Sequence, residues 1–257
     1  MKIHHLRNAT IILEAAGEKI LVDPMLGGKG TLPPFSFLRN RLALNPTVPL
    51  PANAPEILSS VTAGLITHCQ RGHKDHLDGE GVSFLASRGI PVYATPDDAK
   101  YLSRRGIKAK SLPFSVSSGF FGGTILPVPA THGHGWIGKL MGPGVGYVIR
   151  FPGEPGLYLS GDTVLTDRVR QVLRDEKPGV AVVHAGGARL DVGAPILMTV
   201  DEVLEFIRLS PGIVVANHLE ALNHCPTTRQ RLRSRVESAG LASRVMIPAD
   251  GESVGPL

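Results

Sequence analysis

Short apolar runs in this chain keep ending in residues that bind metals. GLIT (64–67) runs into His68, and PVPAT (127–131) runs into His132. LYLSG (157–161) runs into Asp162, VAVV (180–183) into His184, and IVVAN (213–217) into His218. Runs of this length, rich in β-branched residues and bounded by Gly or polar residues, read as buried strands. Donors gathered where strands give way to loops belong to one edge of a sheet, the usual place for a site. One such coincidence is cheap, but a series of them constrains the fold to a sheet structure with its chemistry at one end.

The densest donor segment is THCQRGHKDHLD (67–78). His73, Asp75 and His76 fall within four residues, and imidazole and carboxylate both suit zinc-like ions. Three such donors cannot point one way along a regular strand, but on a turn they can splay toward two adjacent metals. Each histidine taken singly is a solvated or hydrogen-bonded loop residue as readily as a ligand.

The remaining sequence reads as an alternation of elements. Residues 2–22 form a hairpin turning at Gly17. Strands follow at 64–67 and 90–95 and a strand pair at 121–131, then a hairpin from 144–151 and 156–163, then strands at 180–187, 212–218 and 243–251. Helices are expected at 80–88, 96–105, 167–174, 199–209 and 227–239, the fourth opening on a capping box of Thr199 and Glu202. Hairpins in each half followed by αβ units suggest stacked sheets covered by helices. The Pro/Gly-rich stretch 24–56 has no periodicity. A structureless segment of that length in a compact chain is a linker or an active-site cover. Its Leu, Phe and Met content favours a cover over 24–55, packed down by Leu32, Phe35, Phe37 and Leu38.

Composition narrows the class. With 257 residues and 42% hydrophobic content one sizeable core can form, and at 5% aromatics it must be aliphatic. Two cysteines, Cys69 and Cys225, are too few for a disulfide scaffold in a chain this long. The N-terminal segment has no signal-peptide pattern, and no run is long enough to span a membrane, so a cytoplasmic protein is expected. The net charge of +5 favours anionic small molecules. A basic run, RQRLRSR (229–235), motivates a nucleic-acid-processing or non-enzymatic metal-binding factor, but no stacking aromatics interleave it. A homo-oligomer is left open.

Taken in order, ATIILEAAGEKILVDPML, HKDHLD, PATH, YLSGDT, HAGG and ANH resemble a metallo-β-lactamase-fold hydrolase across essentially the whole chain. More narrowly they are similar to the ascorbate-6-phosphate lactonase-like branch. The resemblance implies one domain over 1–257, an α/β fold of the αββα sandwich type, and two divalent metal ions at one edge. Zinc is the first expectation, with manganese or iron fitting the same donors. His68, His73 and His132 would hold one ion. Asp75, His76 and His218 would hold the other, and Asp162 would bridge them. A metal-bridging hydroxide would attack a small anionic lactone or ester, or, in the alternative, a phosphodiester.

The family writes its motif as HxHxDH, and this chain does not. Either QRG bulges out and His68 still ligates, or Arg71 replaces the first ligand. The bulge fits better, because Thr67-His68 follows an apolar strand and Gly72 gives backbone freedom. Arg71 would then grip a substrate anion. His224 is a candidate proton donor, or the last ligand in place of His218. His184 is expected to contact substrate or a ligand carboxylate, or to be a satisfied core histidine. Asp23 and Asp78 are candidate partners for ligand imidazoles, their plain alternatives being a turn former before Pro24 and a helix cap. His134 is substrate-facing or merely solvated. Asn8 stands where many relatives carry histidine.

Overall fold

The computed structural model describes residues 1–70 and 72–257. Two seven-stranded sheets account for the strands. The first is built from β1 (Lys2–Arg7), β2 (Thr10–Ala15), β3 (Glu18–Val22), β4 (Ala63–Leu65), β5 (Val92–Ala94) and β6 (Ala109–Ser111). The second is built from β7 (Ser118–Phe120), β8 (Gly123–Thr131), β9 (Pro143–Arg150), β10 (Leu157–Leu159), β11 (Val180–His184), β12 (Ile213–Asn217) and β13 (Val245–Met246). The chain then returns, and β14 (Ser253–Val254) pairs antiparallel with β1, giving the order β14-β1-β2-β3-β4-β5-β6 beside β13-β12-β11-β10-β9-β8-β7.

The sheets face each other because their strands alternate. Ile11, Leu13, Ile20, Val22 and Leu65 of the first meet Ile125, Tyr147, Ile149, Leu157, Val182 and Val215 of the second in one buried cluster. Truncating a side chain such as Leu65 to alanine in such a core costs about 2–5 kcal/mol. The opposite faces are covered by helices. Ala54 of α1 (Ala54–Ser59), Leu85 of α2 (Gly79–Arg88) and Leu102 of α3 (Pro96–Ser103) lie over the first sheet. Over the second lie α5 (Asp167–Glu176), α6 (Val200–Leu209) and α7 (Arg229–Ser238), with Val172, Phe206 and Leu232 against Tyr158, Val183 and Val214. The result is the expected αββα sandwich. No helix among the described residues is long and apolar enough to cross a membrane.

Most expected elements form. The capping box of α6 is present in full, Thr199 accepting from the Glu202 amide while Glu202 accepts from that of Thr199. Four features depart from expectation, one of them the strand β6, which falls in a segment where no element was expected. A further strand, β1, precedes the N-terminal hairpin. The C-terminal segment serves both sheets, since β13 ends the second and β14 closes the first. Two short helices were not foreseen, α1 at the end of the Pro-rich stretch and α4 (Gly135–Met141) directly after the THGH segment.

Candidate metal centre

Every strongly donor-bearing loop leaves its sheet at the same edge. Two groups of donor atoms form there: His68, His73 and His132, and Asp75, His76, Asp162 and His218. Within each group the atoms lie within 4.8 Å of one another, and all seven residues are buried. His68, His73, Asp75 and His76 come from the loop after β4, while His132, Asp162 and His218 follow β8, β10 and β12. Gly161 makes the third of these turns possible. Its φ is +60°, and a Cβ there would stand 2.2 Å from the Val145 carbonyl oxygen.

The imidazoles share one arrangement, Nδ1 held from behind and Nε2 facing inward. His76 Nδ1 donates to Asp23 at 2.8 Å, His132 Nδ1 to the Ile196 carbonyl at 2.8 Å and His73 Nδ1 to the Gln70 carbonyl at 2.5 Å. The Thr67 hydroxyl donates to Asp23 at 2.6 Å and is therefore free to accept from His68 Nδ1 at 3.1 Å. Cys225 Sγ lies 3.6 Å from His218 Nδ1. Such contacts fix the tautomer that leaves the Nε2 lone pair free, which is how proteins orient metal-binding histidines. The Nε2 atoms of His68, His73 and His218 are buried and have no hydrogen-bond partner among the described residues. Buried polar atoms are normally paired, so three orphaned lone pairs converging on carboxylates fit a cation.

Asp162 stands at the middle. Its Oδ2 lies 3.1 Å from His76 Nε2, 3.3 Å from His132 Nε2 and 3.9 Å from His68 Nε2, and its Oδ1 lies 3.7 Å from His218 Nε2. His184 Nδ1 donates to Oδ1 at 2.5 Å. Burial works against ionisation of Asp162, but His76, His218 and His132 outweigh it and hold its pKa well below the usual range. Burial pushes His68 and His132 below the ordinary histidine value, and His218 down to about 3. Burial also opposes a charge on His76, but Asp162, Asp23 and Asp75 overcome it and raise its pKa well above the ordinary value. Ionised carboxylates among mostly neutral imidazoles are the charge state that metal binding needs.

Other candidates fall out differently. His224 is buried and outside both donor groups, edge-on to Phe35 at 5.2 Å, and its Nδ1 has no hydrogen-bond partner among the described residues. His134 is exposed at the N-cap of α4. Asp78 caps α2 through the Gly81 amide and also accepts from the Leu26 and Gly27 amides, so it serves the backbone rather than an imidazole. Cys69 bonds to Asp98, and burial raises its thiol pKa. Arg71 lies outside the described residues.

The 24–55 segment is held differently from expectation. Leu32 is buried, but Phe37 and Leu38 are 58% and 89% exposed. Polar anchors hold this stretch instead. Asp191 accepts from the amides of Phe37, Leu38 and Arg39 and from the Ser36 hydroxyl, and that network turns the two side chains outward. Asn223 bonds to Phe35, Ser36 and Asn45. Deeper down, fully buried Arg7 donates to the carbonyls of Met25, Gly27 and Val48. Burial lowers its pKa to about 10, which leaves it charged at neutral pH. Neither Asp191 nor Arg7 carries a sequence signal, since single charged residues far from the segment do not announce their partners.

No protein-family model matches the chain. The UPF0173 protein YddR of Bacillus subtilis is 32% identical over 256 residues, spanning 98% of this chain and 99% of that one. A UPF0173 metal-dependent hydrolase of Xanthobacter autotrophicus is 31% identical over 227 residues, 84% of this chain and 81% of its own. This chain belongs to the UPF0173 metal-dependent hydrolase family. Among solved structures, an isothiocyanate hydrolase from Delia radicum gut bacteria superposes on this UPF0173 chain with a TM-score of 0.89 and 30% identity, covering 99% of each. The metallo-β-lactamase fold protein YhfI of Bacillus subtilis superposes with a TM-score of 0.66 at 12% identity over 98% of each chain, a likeness of fold alone. The UPF0173 chain is thus a metal-dependent hydrolase of the metallo-β-lactamase fold, with its donor residues at one sheet edge.

Proposed function

We propose that the centre is dinuclear and hydrolyses a small anionic lactone or ester. The observation that carries this reading is the set of Nε2 atoms of His68, His73 and His218, unpartnered among the described residues, with His68 facing Asp162, His218 facing Asp75, and His73 grouped with His68 and His132. His68, His73 and His132 would hold one ion and Asp75, His76 and His218 the other, with the Asp162 carboxylate lying between the two groups. When bound, two divalent ions, zinc first among zinc, manganese and iron, supply Lewis acidity and a hydroxide nucleophile at neutral pH. His184 steers the Asp162 carboxylate, and Asp23 steers His76.

His224 is the residue we assign to the substrate. Burial lowers its pKa to about 4, so near neutral pH it is an uncharged imidazole carrying one N–H. It donates a hydrogen bond to the oxygen that gains charge or departs, rather than arriving as an imidazolium. Arg71 takes the substrate's anionic group. Residues 1–257 act as one hydrolase domain, with 24–55 as the cover that excludes water from the pocket.

A second reading rests on the similarity to an isothiocyanate hydrolase at 30% identity over 99% of both chains. The electrophile is then the central carbon of an isothiocyanate, which needs the same nucleophile and the same stabilisation of developing charge. One screen of metal-loaded protein tests both readings: lactones and esters with and without an anionic group, aryl and alkyl isothiocyanates, and an activated phosphodiester. Preference for the charged lactones or esters supports the first reading and preference for isothiocyanates the second. Turnover of the phosphodiester alone would defeat both in favour of phosphodiester hydrolysis.

A further inference from the structure

Away from the seven donors, a cavity of about 410 Å³ opens where the loop after β11 meets the starts of α6 and α7. Four arginines line it: Arg39, Arg189, Arg231 and Arg235. Asp201 is the single carboxylate among the lining residues, and Arg235 already engages it at 2.6 Å. Four positive groups less one negative leave a charge of +3 around the cleft. Arg39 reaches the Gly193 carbonyl with one nitrogen at 3.1 Å. Arg189 and Arg231 make no side-chain hydrogen bond or ion pair with any described residue. Guanidinium groups do not shed their charge in proteins, so the cleft stays positive at any pH at which an oxyanion would bind.

A second observation points the same way. Thr227 lines the cavity at 2% exposure, and its hydroxyl has no hydrogen-bond partner among the described residues. The oxygen opens into the cleft, so its proton is available to a ligand there. Gly187 makes the space. Its φ is +60°, and a Cβ there would stand 2.8 Å from Thr227 Oγ1.

We propose that this cleft is an anion site separate from the metal centre, taking a small free oxyanion of the phosphate class. Arg189 and Arg231 are its free charged donors and Thr227 its buried neutral donor. None of the seven centre donors lines it. Arg39 belongs to the 24–55 segment and the other three arginines to the body, so a bound anion draws that segment against the scaffold.

The test is calorimetric titration of metal-loaded protein with inorganic phosphate, with chloride matched for ionic strength. Phosphate also meets the metal centre, so the comparison is between wild type and two variants, R189A/R231A and Thr227→Val. The expected result is a binding event weakened about ten-fold or more in the double variant and several-fold in T227V, since bonds to charged groups contribute most. Metal content and melting temperature should match wild type in both, because the arginines are exposed and valine is close to threonine in size. Phosphate should slow proteolysis within 37–44 in wild type and not in R189A/R231A. Phosphate binding equal in all three proteins would overturn the site. So would a phosphate inhibition competitive with substrate that vanishes in R189A/R231A, which would make the cleft part of the substrate pocket.

Discussion

Asn8 is tied to Asp75 across 67 residues of sequence: its side-chain amide donates to the Asp75 carbonyl at 2.8 Å. Its own carbonyl accepts the His218 amide at 2.9 Å, so one residue braces a donor loop from each sheet. Asn8 has φ +57°, a left-handed turn that asparagine tolerates better than most residues. N8G keeps the turn and the backbone bond to His218 but removes the bond to Asp75. Metal affinity in that variant should fall about ten-fold, the usual scale for loss of a supporting contact. Competition with a metal-chelating dye checks this; unchanged affinity would make Asn8 a turn former only.

Asp162 should be the least replaceable donor. Asp162→Ala removes both oxygens from the middle of the centre, so metal content should drop by one ion or both and hydrolysis should nearly vanish. Elemental analysis of protein purified without chelator, alongside turnover, reads both. Full metal and full rate in this variant would remove Asp162 from the centre.

The last ligand is decided by a pair of variants. H218A should lose metal, because His218 Nε2 lies in the second donor group. H224A should keep its metal and lose turnover, which H224Q should partly restore by supplying an N–H. The opposite pattern of metal content would exchange the two roles.

The QRG segment is tested in the same way. His68 groups with His73 and His132, so H68A should lower metal affinity sharply. R71A should keep its metals and lose about ten- to a hundred-fold in kcat/KM on anionic substrates, the scale of a charge-assisted contact of roughly 1.5–3 kcal/mol. Full occupancy in H68A would favour the alignment in which Arg71 displaces a ligand.

Asp191 anchors the cover, and its carboxyl is held below the usual range by the amides of Leu38 and Arg39, the Ser36 hydroxyl and the amide of Phe37. A depressed carboxylate contributes its stabilisation fully above the unfolded value, about 3.9, and loses it only as pH falls through the depressed one. Protection of the Phe37–Arg39 amides from hydrogen exchange should therefore persist down to the ordinary aspartate range and fade below it. D191A should abolish that protection at neutral pH and open 37–44 to protease.

The sheets and the donor edge were legible because buried strands and metal donors leave local marks: apolar runs such as VAVV and IVVAN, each stopped by a histidine. Thr67-His68 keeps its place after a strand despite the interrupted motif, and His68 groups with His73 and His132. The cover was not legible in the same detail. Phe37 and Leu38 read as packing residues because they are apolar, yet a distant carboxylate on Asp191 takes their amides and turns them outward. The helix α4 was missed because three of its seven residues are glycine, lysine and glycine, with too little periodicity to register. The double service of the C-terminus was hidden for a related reason: β13 and β14 have two residues each, too short for alternation to show.

Each donor group draws on both sheets. His68 and His73 leave the first sheet and His132 the second, while Asp75 and His76 leave the first and Asp162 and His218 the second. On the proposed assignment the ions act as rivets through the seam of the sandwich. Neither half can bind them alone, so a nascent chain that has folded only its first 111 residues holds no complete centre. Metal capture would then be a late assembly checkpoint, and a starved cell would accumulate a sandwich that has docked but stays unfastened along one edge.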